Sequence, residues 1–149
     1  MLENMKMNSS ELARNVRIDA IRMVHDHHAS HIASALSAVD ILAVLYHDIM
    51  HIDPQDPQMK NRDRLIMSKG HAGVAVYATL AECGFFDKEE LRKYYSDGSV
   101  YSGHVSHKGV LGVEFSTGSL GHGLGVAAGM AMLTATDIPH GPLEVLITA

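Results

Sequence analysis

Glycine is concentrated in one stretch of this 149-residue sequence, between residues 112 and 131. An apolar run at residues 110–115 precedes the polar pair Ser116 and Thr117, and a helix-like pattern of small residues follows. This order predicts a strand, a turn and the start of a helix. Each glycine costs a helix interior up to about 1 kcal/mol relative to alanine, so the cluster needs a compensating role. The glycines concerned are Gly118, Gly121, Gly123, Gly125 and Gly129.

Close approach of another group to the helix backbone is the role that the spacing predicts. Gly121, Gly125 and Gly129 repeat every four residues and form a stripe without side chains on one helix face. Gly118 and the amides after it are expected at the helix N-terminus, which favours an anion. Spacing alone leaves two interpretations open, a bound ligand or a tight helix–helix contact. A Rossmann dinucleotide site is disfavoured because no G-x-G-x-x-G motif occurs.

The composition is that of a folded globular chain, with 46% hydrophobic and 19% charged residues. A net charge of −5 without a basic run predicts no nucleic acid and no membrane as partner, while small anionic ligands stay open. The single cysteine, Cys83, cannot form an internal disulfide and favours a reducing compartment. Without a signal-peptide pattern or an apolar run of about 20 residues, we expect a cytoplasmic protein.

The first half of the chain predicts helices around one strand. Asn8 and Glu11 have capping-box spacing and begin an amphipathic helix with an apolar repeat at Leu12, Val16, Ala20 and Val24. A second helix is expected to begin near Ser37, which forms a capping box with Asp40. The buried side of this helix is expected to consist of Ile41, Leu42, Leu45 and Ile49. Residues 51–61 predict a loop, and residues 63–67 a short strand.

The second half continues the alternation of strands and helices. A turn at residues 68–71 leads into a helix at 72–83, which Gly84 caps. Asp87 and Glu90 have capping-box spacing and begin a short helix that reaches Tyr95. After the glycine-rich helix, the sequence predicts a loop at residues 137–142 and a buried strand at 143–147. This alternation favours an α/β fold with a parallel sheet. A core strand so near residue 149 leads us to expect a domain that continues further.

The sequence contains 11 histidines, an unusual number, and they support two hypotheses. His27 and His31 have the spacing of paired metal ligands on a helix, but no HExxH glutamate or cysteine pair accompanies them, so a metal site is disfavoured. For His25, His27 and His28 a solvated helix end is favoured instead. His31, His71 and His104 each lie at a predicted junction of a loop with a helix or strand, the edge where α/β folds gather ligand groups. They either converge for proton transfer near neutral pH or are unrelated surface residues.

Two other kinds of catalytic site are disfavoured. Ser119 lies outside the G-x-S-x-G motif that a serine hydrolase of the α/β class uses. Lys69 belongs to a predicted exposed turn and shows no sign of the desolvation that activates a Schiff-base lysine.

Four stretches in order resemble the motifs of the transketolase family. They are residues 30–37 (SHIASALS), residues 63–72 (DRLIMSKGHA), the pair Gly103 and His104, and residues 112–123 (GVEFSTGSLGHG). The sequence is most similar to the N-terminal subunit of split transketolases, in which the diphosphate-binding and pyrimidine-binding parts are separate chains. The resemblance implies the α/β thiamine diphosphate-binding fold, with residues 1–149 as a partial diphosphate-binding domain whose parallel sheet is flanked by helices.

The resemblance also implies an activity and a set of site residues. The activity is transfer of a two-carbon ketol unit from a ketose to an aldose with thiamine diphosphate, which stabilises the carbanion left by C–C cleavage. Catalytic roles fall to three histidines: His31 contacts the sugar, His71 lies beside the diphosphate and substrate, and His104 assists proton transfer at a ketose hydroxyl. Cofactor binding falls to His71, Gly118, Ser119, Leu120 and Gly121.

The sequence departs from the family pattern in two respects. Ser30, Ala33 and Ser34 replace glycines around His31, which is consistent with an unusual sugar substrate. The Gly-Asp-Gly motif that holds Mg2+ with a later asparagine is expected after residue 147, where Thr148 and Ala149 stand instead. The glutamate that activates the cofactor belongs to the partner domain.

From these departures we expect several components to come from outside the 149 residues. They are the Mg2+ ligands and a transketolase C-terminal subunit or domain, in a homo- or hetero-oligomer, so the isolated 149-residue chain is expected to be inactive. The alternative is a catalytically inactive homologue that serves as a binding or assembly module.

Overall fold

The structure is a computed structural model that describes residues 7–134 and 144–147. Its α-helices are α1 (Ser9–Asp26), α2 (Ile32–Leu36), α3 (Val39–Val44), α4 (Gly73–Glu82) and α5 (His122–Thr134). A π-helical turn (Leu45–Ile49) follows α3, and 3-10 helices span Gly70–Ala72 and Lys88–Lys93. The strands are β1 (Arg64–Met67) and β2 (Glu144–Ile147).

The two strands form the parallel sheet that the sequence predicts. Arg64 lies opposite Glu144 and Met67 lies opposite Ile147 in the register. Residues Leu65, Ile66 and Met67 are at most 5% exposed, as expected for a parallel strand that is covered on both faces. The α/β fold and both strands at these positions are therefore confirmed, while the predicted loop at 137–142 lies outside the described residues.

Helix α1 begins with the predicted capping box. The Glu11 amide donates to the Asn8 side chain at 2.9 Å, and the Asn8 amide donates to the Glu11 carboxylate at 3.0 Å. Leu12, Val16 and Ala20 are fully buried and pack this helix against α3 and α4. The apolar repeat thus fixes which face of α1 meets the core.

The second predicted helix differs from the expectation. It is divided into α2 and α3, and α3 begins after Ala38 without a side-chain cap. Asp40 forms an ion pair with Arg17 of α1 instead of a capping box. Ile41 and Ile49 are 50% and 52% exposed, so the prediction that both are buried is wrong. The π-helical turn widens the helix after Val44 and changes the face on which the following residues lie.

Residues Ile32–Ile49 are long and apolar enough to cross a membrane by length and composition alone. The expectation from the sequence that no apolar run approaches the length of a membrane span is therefore wrong for this stretch. Such a run is weak evidence for a span, because core helices pass the same test and 39% of this stretch is buried in the structure. Here the stretch is divided among α2, α3 and the π-helical turn, and it packs against α1 and α4.

Helix α4 forms the centre of the core and ends as predicted. Its residues from Gly73 to Ala81 are all buried. Gly84 has a φ of +85°, its amide donates to the Ala81 carbonyl at 3.0 Å, and the Phe85 amide donates to the Leu80 carbonyl at 3.0 Å. This is a Schellman motif. Cys83 lies beside it, and burial raises the pKa of its thiol to about 12.

The short helix after Gly84 differs in type and length from the prediction. Asp87 caps it by accepting a hydrogen bond from the Glu89 amide at 2.9 Å, and the helix is a 3-10 helix that ends at Lys93. Tyr95 lies beyond it with a φ of 55°. The predicted helical extension to Tyr95 is therefore wrong.

The predicted strand at residues 110–115 is a loop. Gly112 has a φ of +84°, and a Cβ at this position would lie 2.5 Å from a Leu80 methyl group and 2.9 Å from the Phe85 ring. The left-handed glycine turns the chain where a strand would continue straight. Glu114 then accepts two hydrogen bonds of 2.8 Å from Arg62. The apolar run is therefore only partly buried, with Val110 4% and Leu111 48% exposed, and the neighbour of β1 is β2.

We expect removal of one member of the Arg62–Glu114 pair to destabilise the domain. Both side chains are only 13% exposed, and burial raises the pKa of Glu114 against the opposing effect of Arg62 and Arg64. Arg62→Met leaves a carboxylate without its main partner, at an expected cost of about 3–5 kcal/mol in unfolding free energy by urea titration. Arg92→Met removes an ion pair at the surface, in which the Arg92 side chain is 80% exposed and the Glu89 side chain 67% exposed. This substitution is expected to change the unfolding free energy by less than about 1 kcal/mol. Equal effects of the two substitutions would contradict this ranking.

Candidate active site

The carboxyl end of β1 is the point where the predicted site residues meet. Gly70, in the turn from β1 to α4, accepts a hydrogen bond of 2.8 Å from the Val105 amide through its carbonyl oxygen. A Cβ on Gly70 would lie 2.1 Å from the Thr117 carbonyl oxygen. Gly70 is thus clamped between the loop that carries His104 and the loop that precedes α5. This edge is where a parallel α/β sheet is expected to collect ligand groups.

The three histidines singled out by their junction positions converge there. The ring centroids of His31 and His71 are 5.4 Å apart, and those of His31 and His104 are 5.6 Å apart. Each ring of these pairs meets its neighbour edge to face. The prediction of convergence is confirmed, and the interpretation as unrelated surface residues is wrong. Their individual catalytic roles stay predictions.

His31 is held in an unusual backbone conformation. Its φ of 69° and ψ of 20° place it in the left-handed region, directly before α2. Its carbonyl oxygen accepts hydrogen bonds from the Ala35 amide at 3.2 Å and the Ser34 hydroxyl at 2.9 Å. A non-glycine residue in this region costs roughly 1–3 kcal/mol, and such strain tends to occur at functional sites. Here it coincides with the contact of His31 with both other histidines.

The hypothesis of a metal pair at His27 and His31 is not supported by the geometry. His27 is the C-cap of α1, His28 has a φ of 50°, and His31 precedes a different helix. The two imidazoles therefore do not share a helix face. Within residues 7–134 and 144–147, no group of three or more His, Cys, Asp or Glu side chains could hold a metal ion.

The electrostatic environment favours a neutral His71. Its side chain is partly buried in the 3-10 turn, and burial together with the nearby His31, Lys69 and His104 lowers the pKa of its imidazole. At neutral pH a neutral ring can accept a proton or a hydrogen bond at one nitrogen and donate at the other. The cluster therefore combines a neutral His71 with exposed rings of His31 and His104.

The predicted cofactor stretch is an open turn beside this cluster. Gly118, Ser119, Leu120 and Gly121 are all exposed, and α5 begins after them at His122. Gly118 therefore lies before the helix N-terminus and not at it. A Cβ on Gly118 or Gly121 would meet nothing within 4 Å, and Gly121 has a φ of +77°. The backbone at Gly118 and at Gly121 is therefore open to close approach by a flat cofactor ring.

Two buried hydroxyls that the sequence patterns do not single out fix this turn to β1. Thr117 donates to the Met67 carbonyl oxygen, and Ser68 accepts from the Gly123 amide at 3.1 Å. Thr117 is 4% exposed and Ser68 is fully buried. The sequence signal that could have identified both residues is a polar residue directly beside an apolar core segment. A hydroxyl buried there requires a hydrogen-bond partner.

The glycine stripe of α5 is open in the described structure. A Cβ on Gly125 or Gly129 would meet nothing within 4 Å, and neighbouring Leu124 is 58% exposed. The close approach is made instead by Gly123, whose Cβ would lie 2.7 Å from an Ile66 methyl group and 2.8 Å from the Ser68 Cβ. The choice between a ligand and a helix as partner of the stripe stays a prediction.

Lys69 has a structural partner in the first motif. Its ammonium donates to the Ser37 hydroxyl at 3.1 Å, and the Ser37 hydroxyl in turn donates to the Ser34 carbonyl oxygen at 2.8 Å. Lys69 thus links the β1–α4 turn to the segment that follows His31.

Comparisons with known proteins agree with this geometry. Residues 8–139 match the family described as transketolase, thiamine diphosphate binding domain. One subunit of the apulose-4-phosphate transketolase of Phocaeicola vulgatus is 43% identical over 117 residues, covering 78% of this chain and 41% of that protein. The 6-deoxy-6-sulfo-D-fructose transketolase subunit SqwG of a Clostridium species is 41% identical over 107 residues, covering 72% and 39%. The chain therefore spans about two-fifths of the length of these relatives.

Solved structures show the same fold. The transketolase from Leishmania mexicana superposes with a TM-score of 0.82 at 30% identity, covering 94% of this chain and 22% of that one. The transketolase from Campylobacter jejuni gives a TM-score of 0.77 at 36% identity, covering 86% and 21%.

Proposed function

The chain belongs to the transketolase family, through its thiamine diphosphate-binding domain, and on this premise we propose that it acts in ketol transfer. In the assembled protein it contributes the histidine cluster and the cofactor turn of a site that moves a two-carbon ketol unit from a ketose to an aldose. The observation that carries this proposal is the convergence of His31, His71 and His104 at the edge that also holds Thr117 and the turn after it.

Thiamine diphosphate would be held by His71, Gly118, Ser119, Leu120 and Gly121. The open space around Gly118 and Gly121 supports this fit, because a Cβ at either position would meet nothing within 4 Å. When bound, the cofactor supplies stabilisation of the carbanion that C–C cleavage produces. Mg2+, which the family uses to hold the diphosphate, stays an expectation whose ligands we place outside the described residues.

The histidines supply proton transfer and orientation. Cleavage of the donor requires a hydroxyl proton to leave, and addition to the acceptor requires a proton to return. We assign this transfer to His104, whose exposed ring lies next to His31. We assign hydrogen bonding to the sugar to His31 and contact with substrate and diphosphate to the neutral His71.

A partner subunit completes the proposed site. Two relatives are named as transketolase subunits, and we propose that this chain likewise works with a C-terminal, pyrimidine-binding subunit or domain. Leu120 is 63% exposed and Leu124 is 58% exposed beside the open glycine stripe, which supports a partner at this face. A cytoplasmic location and a homo- or hetero-oligomer belong to the same proposal.

The substrate class follows from the names of the relatives. One is named for a sugar phosphate, apulose-4-phosphate, and the other for 6-deoxy-6-sulfo-D-fructose. Both sugars carry an anionic group, and we propose that the donor of this protein is also a ketose with an anionic substituent.

The test uses the assembled protein with its partner, thiamine diphosphate and Mg2+, and a panel of phosphorylated, sulfonated and neutral ketoses with an aldose acceptor. The expected result is cofactor-dependent formation of a ketose two carbons longer than the acceptor, fastest with an anionic donor. Binding of thiamine diphosphate without cleavage of any ketose would overturn the proposal and favour the inactive binding or assembly module.

A further inference from the structure

The loop that carries His104 is fixed by a buried tyrosine. Tyr77, in the middle of α4, is fully buried, and its hydroxyl donates to the His104 carbonyl oxygen at 2.8 Å. The same hydroxyl accepts a hydrogen bond of 2.9 Å from the Ser106 amide. One oxygen atom therefore fixes the peptide groups on both sides of Val105.

The loop has other supports, among them the Val105 side chain, which is 3% exposed in the core. The Ser102 hydroxyl donates to the same His104 carbonyl oxygen at 2.7 Å, and the Val105 amide donates to the Gly70 carbonyl at 2.8 Å. Gly73 packs so closely that a Cβ there would lie 2.6 Å from the Val105 nitrogen. Among all these contacts with the loop, the Tyr77 hydroxyl is the one that is both buried and bonded to the loop at two points.

The imidazole of His104 depends on this backbone for its direction. Within the described part of the chain its ring has no hydrogen bond, and its ring contact is with His31 at 5.6 Å. A catalytic ring without side-chain partners is aimed by its own backbone, and misplacement by about 1 Å can cost a factor of about 100 in rate. Burial raises the pKa of Tyr77, so its hydroxyl keeps its proton and can donate at neutral pH.

We propose that Tyr77 is a positioning residue that acts through His104, its hydroxyl fixing the 102–106 loop so that the His104 imidazole meets His31. This inference rests on the proposed function for its effect on rate. It adds a residue of the buried core of α4 to those that determine activity.

The direct test is Tyr77→Phe in the assembled protein, which keeps the ring and removes only the hydroxyl. We expect kcat to fall about tenfold, because loss of both hydrogen bonds to the loop displaces the His104 ring, with the affinity for thiamine diphosphate unchanged. In a His104→Ala background the same substitution is expected to leave kcat unchanged, since no imidazole remains to be positioned. An equal fall in both backgrounds, or none in the wild-type background, would overturn the proposal.

The matched control is Tyr94→Phe. Tyr94 is 1% exposed, and its ring centroid lies 6.4 Å from that of Tyr77. Its hydroxyl has no hydrogen bond among the described residues. We expect this variant to keep the wild-type kcat. Ser102→Ala, at an exposed position, removes the second hydrogen bond to the His104 carbonyl and is expected to lower kcat in the same direction by a smaller factor. If Tyr77→Phe fails to fold, Ser102→Ala tests the same proposal through the other hydrogen bond to the His104 carbonyl oxygen.

A second readout separates this inference from the proposed function. With carbon-13 in the histidine rings, Tyr77→Phe is expected to shift the His104 resonance, whereas Tyr94→Phe is not. If the resonance shifts and the wild-type assembly transfers no ketol group, the proposed function fails and the positioning stands. An unshifted His104 resonance in Tyr77→Phe overturns the positioning whatever the activity.

Discussion

His104→Ala in the assembled protein is expected to lower turnover by a factor of about 100 to 10,000, the usual contribution of a general acid or base. The exposed His104 ring meets His31 at 5.6 Å and has no hydrogen bond among the described residues, so its removal costs little packing. Steady-state kinetics with a saturating donor measure the effect, and thermal unfolding reports stability separately.

His25→Ala is the matched control for this prediction. Its imidazole is 83% exposed at the end of α1 and pairs only with the neighbouring Asp26 in the described structure. We expect this variant to keep wild-type turnover. A His104→Ala protein that turns over as fast as His25→Ala would remove His104 from the proposed proton transfer.

Gly70→Ala is expected to destabilise the domain by at least about 3 kcal/mol, at the upper end of overpacking effects. Its Cβ would lie 2.1 Å from the Thr117 carbonyl oxygen and 2.6 Å from the Thr117 carbonyl carbon, both of them backbone atoms. Thr117 cannot move away easily, because its hydroxyl is bonded to the Met67 carbonyl oxygen. The clash must therefore displace the turn that follows Thr117 or the β1–α4 turn, and the affinity for thiamine diphosphate is expected to fall with the stability.

The control for Gly70→Ala is Gly129→Ala in α5, where a Cβ meets nothing within 4 Å. Alanine is favoured over glycine in a helix by up to about 1 kcal/mol, so we expect an unchanged or slightly higher unfolding free energy. Urea titration of both variants makes the comparison. Equal stability of the two would show that the contact of Gly70 with Thr117 is not tight.

Locally determined features could be predicted from the sequence. The capping box of α1 involves residues 8 and 11, the Schellman turn at Gly84 involves neighbouring amides, and β1 is a short apolar run; each is set by a few adjacent residues. Convergence of His31, His71 and His104 could be anticipated as a hypothesis, since loops at the carboxyl edge of a parallel sheet meet there.

The remaining features depend on contacts distant in sequence. Asp40 pairs with Arg17 at a separation of 23 residues instead of capping a helix. The apolar run before Ser116 is a loop that turns at Gly112 against Leu80 and Phe85, which belong to an earlier part of the chain. Tyr77 reaches His104 across 27 residues and Thr117 reaches Met67 across 50. Sequence patterns identify such hydroxyls only as polar residues among apolar ones.

The most direct measurement follows the two transferred carbons. A ketose labelled with carbon-13 at its first two carbons is incubated with the assembled protein, thiamine diphosphate, Mg2+ and an unlabelled aldose. We predict that both labels appear together at the first two carbons of the new ketose, only when thiamine diphosphate is present, and at a rate that His104→Ala strongly reduces. Label that stays in the donor, or that leaves it as separate single carbons, would contradict ketol transfer by this protein.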